Sequence, residues 1–389
     1  MRLNLSLLLI TLYAGQGAWI PYVGLWLTEQ GISAVSLSLL FSVMLLSKVV
    51  SSPIVAHLCD TSGRPERVGT VLSLGLAACY ATLLVPGLPA PVIVALVILA
   101  SAIAPTLFPI ADRLILRISG PGGSNFGRHR LWGSVGFASG TLIAGQIATL
   151  GGLDWVIASV ACLTVAAFLA LVALQWHSLP TPAINDKRGQ APWRVLLGCC
   201  AIWPPLIAAA LIFASNAHLY TLAPLEWSDA QMTLRSISLI WAAGIAAEVL
   251  GFLIGAPILR KFAPSPLLLI AALLSAVRWL IMALWPDPAI LLLAQLGQVA
   301  TVALTSIAFA AAVSRHVPQD AQVSAFAMFT LLAMGPFISL ATLASSLVTV
   351  SFAVSGFVAM IPVCLLAAGI TGIDLAKGGG NSDHQNVRN

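Results

Sequence analysis

The chain has 389 residues, of which 59% are hydrophobic and 8% are charged. A soluble domain carries about 25% charged residues, so this composition excludes a soluble globular enzyme or binding domain. The net charge of +5 does not indicate nucleic acid as a partner, because excess Lys and Arg in a membrane protein reflects the orientation of its loops.

Twelve apolar stretches of the sequence are each long enough to cross a bilayer as a helix, which takes about 20 residues. In chain order they span residues 5–27, 34–56, 68–87, 91–115, 131–150, 154–175, 196–222, 235–259, 265–285, 289–313, 323–347 and 350–375. They predict an all-α polytopic membrane protein. We expect no cleaved signal peptide, because the first stretch runs into Pro21, Tyr22 and Trp26 without a small-residue cleavage site.

The longest polar interruption divides these stretches into six and six. The expected organisation is an N-terminal six-helix bundle over residues 1–176, a cytoplasmic linker over 177–193, and a C-terminal six-helix bundle with a short polar tail over 194–389. Pro53 and Pro257 lie near the same end of the second helix of each half. Two pseudo-symmetric six-helix halves are typical of one large class of transporters.

The charges in the loops predict the orientation of the chain. Basic residues concentrate at the termini and in alternate loops, whereas the opposite loops carry mainly acidic residues. The acidic set is Glu29, Asp154, Glu226, Asp229 and Asp287. Because Lys and Arg favour the cytoplasmic side, we expect both termini and residue 187 to lie in the cytoplasm.

Neither the cysteines nor the histidines indicate a metal site. The six cysteines have no CxxC spacing, and the six histidines form no ligand cluster in the sequence. We therefore interpret the cysteines as small buried apolar residues and expect no metal and no cofactor.

Ionisable residues inside the apolar stretches are the main candidates for function, because a charge in a membrane usually lines a pathway or binds a partner. They are Lys48, Asp112, Arg130, Glu248 and Arg278. Asp112 and Arg130 are equidistant from the middle of the loop between helices 4 and 5, which predicts similar depth. They would pair or bind a polar substrate; alternatively, Arg130 extends to the cytoplasmic surface and Asp112 has a structural role.

Glu248 lies near the middle of the predicted helix 8, and Arg278 lies in the predicted helix 9. Burial favours the neutral form of a carboxyl group, which suits a group that takes up and releases protons. Glu248 with Arg278, and Asp112 as a second acid, are therefore candidates for proton coupling. The alternative is a static ion pair that holds two helices together. Lys48 would either bind a substrate carboxylate or extend towards the cytoplasm.

Aromatic and polar side chains on helices 1 and 7 are further candidates for the substrate cavity, since these helices correspond in the two halves. The candidates are Tyr13, Trp19, Asn216 and Tyr220. An aromatic wall would suit a phenyl ring by stacking. For Tyr22 and Trp26, anchoring at the bilayer surface is an alternative to facing the cavity.

The segment Asp60-Thr61-Ser62-Gly63-Arg64-Pro65-Glu66-Arg67 joins the predicted helices 2 and 3. It resembles the motif that the major facilitator superfamily has at this place, an Asp, then a Gly, then basic residues. The Gly usual at the start of that motif is replaced around Ala56 and His57. The resemblance implies that Asp60, Gly63, Arg64 and Arg67 latch one conformation through charge-assisted hydrogen bonds.

The predicted helices 4 and 5 resemble the corresponding region of the lactose/proton symporter family. The resemblance lies in Asp112 and in the following segment SNFGRHRLWGSVGF. The matching positions are Asp112, Gly127, Arg128, Arg130, Gly133 and Phe137. The resemblance implies that Asp112, Arg130 and Phe137 line the substrate cavity, and it matches Arg278 to an arginine involved in coupling. The ionisable cluster that this family carries in helix 10 is missing from LAQLGQVATVALTS, so lactose is not the expected substrate.

Segments in four helices resemble the bacterial 3-phenylpropionate permeases. They are Trp19 to Leu27, Arg130 to Val135, Ala247-Glu248-Val249 and Val277-Arg278-Trp279. The resemblance implies proton-linked import of an aromatic carboxylate by a monomer in the lipid of the bacterial inner membrane. Arg130 or Lys48 would bind the anion, and Glu248 would carry the proton.

Other functions remain as alternatives. The same fold serves sugar or nucleoside symporters and exporters of drugs or metabolites. A lipid-modifying membrane enzyme is disfavoured, because such an enzyme needs clustered ligands or a nucleophile with its base. The sequence has neither near a helix end.

The predicted orientation can be tested with reporter fusions. A fluorescent protein that matures only in the cytoplasm, fused after residue 187, should fluoresce, whereas the same fusion after residue 227 should stay dark, because the positive-inside rule puts these positions on opposite sides. Fusions of alkaline phosphatase at the same positions are the control. Because this enzyme is active only outside the cytoplasm, the fusion after residue 227 should be active and the fusion after residue 187 inactive. Both positions on one side would contradict the twelve-helix layout.

Overall fold

The computed structural model describes residues 2–119, 126–175, 196–259, 262–318 and 321–386. Throughout these ranges the chain forms helices and short connections, and no strand occurs in them. The α-helices are α1 (Arg2–Trp19), α2 (Val23–Glu29), α3 (Ala34–Ser62), α4 (Pro65–Leu83), α5 (Ala90–Ile103), α6 (Leu107–Ser119), α7 (Phe126–Gly151), α8 (Leu153–Gln175), α9 (Trp203–Ala214), α10 (Ala217–Thr221), α11 (Ala223–Asp229), α12 (Leu234–Leu259), α13 (Pro264–Leu284), α14 (Pro288–Ala294), α15 (Thr305–His316), α16 (Gln322–Leu332), α17 (Ile338–Phe352) and α18 (Met360–Asn386).

Length and composition determine which of these helices can cross a membrane. Nine helical spans in the described ranges qualify, some of which join several of these helices end to end, or ten if α1 and α2, which are bent by 49° relative to each other, form one broken span. α4 and α7 are long enough, at 19 and 26 residues, but they are less apolar. The fold is therefore all-helical and membrane-spanning, as expected, while the twelve-span layout stays a prediction.

Exposed aliphatic side chains support a lipid environment. Val71, Leu253 and Leu347 are each more than 60% exposed on the surface of long helices. Water would make so much exposed apolar surface unfavourable, whereas the acyl chains of a bilayer solvate it.

Several of the predicted continuous helices are interrupted. The first predicted helix divides into α1 and α2 next to Pro21, which has no backbone N–H to continue the hydrogen-bond ladder. The predicted helix over 289–313 contains a 3-10 turn at Gln295–Gly297 and a π-helical segment at Val299–Leu304. A second π-helical segment, Ala333–Phe337, contains Pro336. Segments of this kind are frequent at functional sites.

Packing groups the chain into two compact units, residues 1–185 with 224–242, and residues 186–223 with 243–389. The segment 224–242 belongs to the first unit, whereas the sequence analysis assigned it to the C-terminal bundle. The division into two six-helix bundles stays a prediction.

In the first unit, α1 and α7 approach each other through small residues. A Cβ atom at Gly140 would lie 2.2 Å from the backbone oxygen of Ala14, and one at Gly136 would lie 2.6 Å from that of Ile10. Gly136 and Gly140 form a GxxxG pattern, which lets helix backbones come into contact in membranes. The close contact of α1 with α7 therefore depends on glycine at both positions.

The second unit has an apolar core between α9, α13, α15 and α18. Buried members of this core include Leu206, Leu268, Phe309 and Ala367. The Ser265 hydroxyl at the start of α13 donates a hydrogen bond of 2.8 Å to the Asp374 carboxylate within α18, which fixes the start of α13 against α18.

Replacing Gly140 by Ala should destabilise the protein, because the added methyl group overlaps the backbone of α1 and overpacking costs about 1–3 kcal/mol. The melting temperature of the purified protein in detergent should fall by several degrees. Gly372→Ala in α18 is the matched control, since a Cβ there would meet nothing within 4 Å. Equal melting temperatures for the two variants would contradict the backbone contact.

Candidate functional site

A buried arginine organises the polar interior of the second unit. Arg278 in α13 is 2% exposed. One terminal nitrogen, Nη1, donates a hydrogen bond of 3.1 Å to Thr301 Oγ1, and the other, Nη2, donates one of 2.6 Å to Gln295 Oε1. Ser275 donates to the same Thr301 oxygen at 3.0 Å. Both partners of the guanidinium are neutral, so its positive charge has no hydrogen-bonded carboxylate among the residues that the structure describes.

Two glycines allow this arrangement. A Cβ at Gly297 would lie 2.8 Å from Cδ of Arg278, and a Cβ at Gly244 would lie 2.8 Å from Oε1 of Gln295. Gly297 belongs to the 3-10 turn that precedes the π-helical segment containing Thr301. The irregular backbone of this helix therefore brings an amide, a glycine and a hydroxyl to the arginine together.

An aromatic ring supports the guanidinium from the side. The Arg278 Cζ atom lies 4.2 Å from the ring centroid of Trp279, a cation–π distance. The Trp279 indole donates a 2.9 Å hydrogen bond to Ser215, at the break between α9 and α10, and its ring stacks on Phe357 with centroids 5.5 Å apart. These contacts fix α13 against the interrupted helix.

Glu248 and Tyr220 interact electrostatically with this arginine. Tyr220 forms a hydrogen bond with Gln298, and the charges of both Glu248 and Arg278 act on it. Glu248 is half-buried near the middle of α12, and it also acts electrostatically on Arg278. Glu248 and Arg278 therefore interact electrostatically, while Arg278 donates its hydrogen bonds to Gln295 and Thr301. A role for the pair in proton coupling stays a prediction.

Asn216 extends the same polar group. It is fully buried, and its Nδ2 donates a 2.9 Å hydrogen bond to the Phe213 carbonyl. Tyr220 follows four residues later, with its backbone N–H bonded to the Asn216 carbonyl at 3.0 Å, so the two side chains lie on one helix face. An arrangement of one cation, one titratable acid, amides and a phenol can bind an organic anion and exchange a proton.

The first unit holds the other predicted cavity residues. The Tyr13 ring contacts Phe108 at 4.5 Å, and the Trp19 ring contacts Tyr80 edge-on at 4.9 Å. The aromatic wall predicted for helix 1 therefore packs against neighbouring helices.

Three of the residues that we expect in the substrate cavity lie in the first unit and are only partly buried. Lys48, Asp112 and Phe137 are half-buried. Asp112 has an interaction partner. The Arg130 side chain lies outside the described residues, so the predicted contact of Arg130 with Asp112 stays a prediction.

Tyr22 and Trp26 are not anchors at the bilayer surface, contrary to one of the two expectations. Trp26 is 1% exposed and its indole donates a 2.8 Å hydrogen bond to Asp154. Tyr22 is fully buried, with its hydroxyl 3.2 Å from the Leu234 carbonyl oxygen. Tyr22 lies in the bend between α1 and α2, and Trp26 lies in α2.

The predicted latch is described in part. Gly63 ends α3 in the left-handed conformation, with φ of 62°, which glycine adopts without strain. Arg64 and Arg67 are exposed, and the Asp60 side chain lies outside the described residues. No group of His, Cys, Asp and Glu that could hold a metal occurs in the described ranges.

Sequence reasoning missed part of this site. Gln295, Gln298 and Thr301 lie in the predicted helix over 289–313, and none of them was assigned a role. The available signal was their spacing, because polar groups three residues apart in an apolar stretch share a helix face. The 3-10 and π-helical turns, which set their final directions, leave no such signal.

The hydrogen bonds of Arg278 can be tested with a double-mutant cycle. Gln295→Leu should lower the melting temperature, because an unpaired buried donor costs about 1–3 kcal/mol. Arg278→Met combined with Gln295→Leu should recover stability, because no buried charge then remains. A Gln295→Leu variant as stable as the unmodified protein would contradict the hydrogen-bond arrangement.

Comparison with known proteins identifies the family. Residues 2–359 match the MFS_1 like family. The chain is 25% identical over 281 residues to the "Probable 3-phenylpropionic acid transporter" of Escherichia coli, covering 72% of this chain and 73% of that one. It is 27% identical over 333 residues to the maltose permease of Geobacillus stearothermophilus, covering 82% and 80%. A crystal structure of the nucleoside transporter NupG has the same fold, with a TM-score of 0.75 at 14% identity and coverage of 96% of both chains. The chain therefore belongs to the MFS_1 like family and is a transporter of the major facilitator superfamily.

Proposed function

We propose that this transporter imports a small organic anion together with a proton across the bacterial inner membrane. The substrate class proposed is an aromatic carboxylate such as 3-phenylpropionate. The observation that carries the proposal is the buried Arg278 guanidinium, which hydrogen-bonds neutral side chains while the titratable Glu248 lies within electrostatic reach.

Charge balance links the proton to the anion. A buried cation without a counter-ion is costly, so Arg278 is stabilised either by ionised Glu248 or by the carboxylate of a substrate. When the substrate carboxylate binds, a second negative charge beside it is unfavourable, and Glu248 takes up a proton. When the substrate leaves, Glu248 releases the proton and again balances Arg278. Substrate and proton therefore move together.

The choice of an aromatic acid has two supports. The relative in Escherichia coli carries the name of a 3-phenylpropionic acid transporter, and the Trp279 ring lies 4.2 Å from the Arg278 guanidinium. Lys48 and Arg130 remain proposed anion-binding residues in addition to Arg278. Asp112 remains a second proposed proton carrier, and Tyr13 and Trp19 remain proposed contacts for the phenyl ring.

A sugar is the second candidate substrate. One relative is named maltose permease, and the amides of Asn216, Gln295 and Gln298 offer the kind of hydrogen-bonding groups that sugar hydroxyls need. On this alternative, Arg278 would act only in coupling or in structure.

Uptake by proteoliposomes distinguishes these functions. We expect labelled 3-phenylpropionate to accumulate when the outside is more acidic than the inside, and to equilibrate without accumulation when a protonophore is added. Empty liposomes correct for passive entry of the protonated acid. Accumulation of maltose with no uptake of 3-phenylpropionate above the empty liposomes would overturn the proposal in favour of the sugar.

Glu248→Gln should abolish accumulation but retain exchange of internal for external substrate, because glutamine mimics a permanently protonated carboxyl and exchange needs no deprotonation. Counterflow of labelled substrate measures exchange, and uptake under a proton gradient measures accumulation. Glu29→Gln is the control, since Glu29 is an exposed acid at the end of α2 and its loss should leave both intact. Uphill accumulation by Glu248→Gln would remove Glu248 as the proton carrier and favour Asp112.

A further inference from the structure

We propose that the substrate carries a hydrogen-bond donor besides its carboxylate, so that the transporter selects hydroxylated aromatic acids over the parent acid. The inference rests on the proposed function and specifies the substrate class of the same site. It comes from buried polar atoms of the second unit that have no hydrogen-bond partner among the residues that the structure describes: Oδ1 of Asn216, Oε1 of Gln298 and Nε of Arg278.

The orientation of the Asn216 amide is fixed by its surroundings. Its Nδ2 donates to the Phe213 carbonyl oxygen at 2.9 Å. If the amide were rotated by 180°, two oxygens would face each other across that distance, which is repulsive. The Asn216 oxygen is therefore an acceptor, and it accepts no hydrogen bond from any described residue.

Tyr220 connects the residues that carry the three atoms. Asn216 and Tyr220 share a helix face, Tyr220 hydrogen-bonds Gln298, and the Arg278 charge acts on Tyr220. Asn216, Gln298 and Arg278 are each at most 4% exposed. Unpaired polar atoms are rare in protein interiors, and each carries a cost, so three in one group indicate a place that a polar ligand completes.

The chemistry of these atoms defines the ligand. The Nε–H of Arg278 requires an acceptor, which the carboxylate of the proposed substrate supplies. The Asn216 oxygen requires a donor, and ionised 3-phenylpropionate has none. A hydroxyl group on the aromatic ring provides that donor, at a distance from the carboxylate that the ring position of the hydroxyl sets.

Such a site should prefer hydroxylated aromatic acids over the parent acid, and not simply accept both. A site built to hydrogen-bond a substrate hydroxyl discriminates strongly against an analogue without it, because the protein's acceptor is then buried unpaired. For one hydroxyl we expect a preference of about tenfold or more, expressed as the ratio of kcat/KM values.

Competition experiments in proteoliposomes test the preference. The 2-, 3- and 4-hydroxy isomers of 3-phenylpropionate would each compete with labelled 3-phenylpropionate, next to the methyl ether of each isomer. The ethers match the hydroxy acids in position but cannot donate. At least one hydroxy isomer should compete about tenfold better than the parent acid, and its ether should lose that advantage.

The Asn216→Leu variant assigns the preference to the Asn216 oxygen. Leucine has similar volume and no acceptor, so the ratio of hydroxy acid to parent acid should fall to about one, whatever happens to the absolute rate. Ser101→Ala is the matched control, because the Ser101 hydroxyl is also buried without a described partner but lies in the first unit. If Asn216→Leu does not insert or transport, the melting temperature of the purified unmodified protein with each acid gives the same comparison.

The outcomes separate the inference from the function. Transport of all the acids with no preference for any hydroxy isomer over the parent and its ether would overturn the inference, and water would then satisfy Asn216, while aromatic-acid transport would stand. An unchanged preference in Asn216→Leu would also overturn it. Failure to transport any of the aromatic acids would overturn the proposed function, and the inference with it.

Discussion

The hydrogen-bonded burial of the Arg278 guanidinium is the constraint on which the interior of the second unit depends. A buried charge is tolerated only when its donors are satisfied. Gln295 and Thr301, in the predicted helix over 289–313, accept hydrogen bonds from two of these donors. This helix is irregular there, with a π-helical segment that contains Thr301. Gly297 and Gly244 leave the space that this requires. The buried charge is thus accommodated by several features together. They are the irregular backbone, the two glycines and the break between α9 and α10.

The same constraint connects structure with transport. Hydrogen bonds to neutral groups satisfy the geometry of a guanidinium, but they do not neutralise it. Two negative groups can do so in turn, the carboxylate of Glu248 and that of a substrate. If the Glu248 carboxylate and the substrate carboxylate must alternate beside Arg278, substrate transport is coupled to protonation of Glu248. This coupling does not need the ionisable cluster that the lactose symporter family carries in its tenth helix. A chain lacking that cluster can therefore still be proton-linked.

Much of the architecture was predictable, because composition and apolar length respond directly to the thickness of the bilayer. The positions of Glu248 and Arg278 in apolar stretches identified them as candidates, and in the structure Glu248 acts electrostatically on Arg278. The bend at Pro21, next to the buried Tyr22 and Trp26, was not predicted. Proline is tolerated in membrane helices, so it does not by itself predict a helix break. The role of Thr301 was not predictable either. It lies in the π-helical segment Val299–Leu304, whose turn differs from the regular helix that the sequence pattern predicts.

Proton uptake on substrate binding tests the exchange between Glu248 and the substrate most directly. Purified protein in weakly buffered detergent solution would be mixed with 3-phenylpropionate or its preferred hydroxy analogue, already ionised, while an indicator dye reports pH. The account predicts uptake of up to about one proton per bound anion at a pH where free Glu248 is ionised, and none in Glu248→Gln. Binding of the anion without proton uptake by the unmodified protein would contradict it.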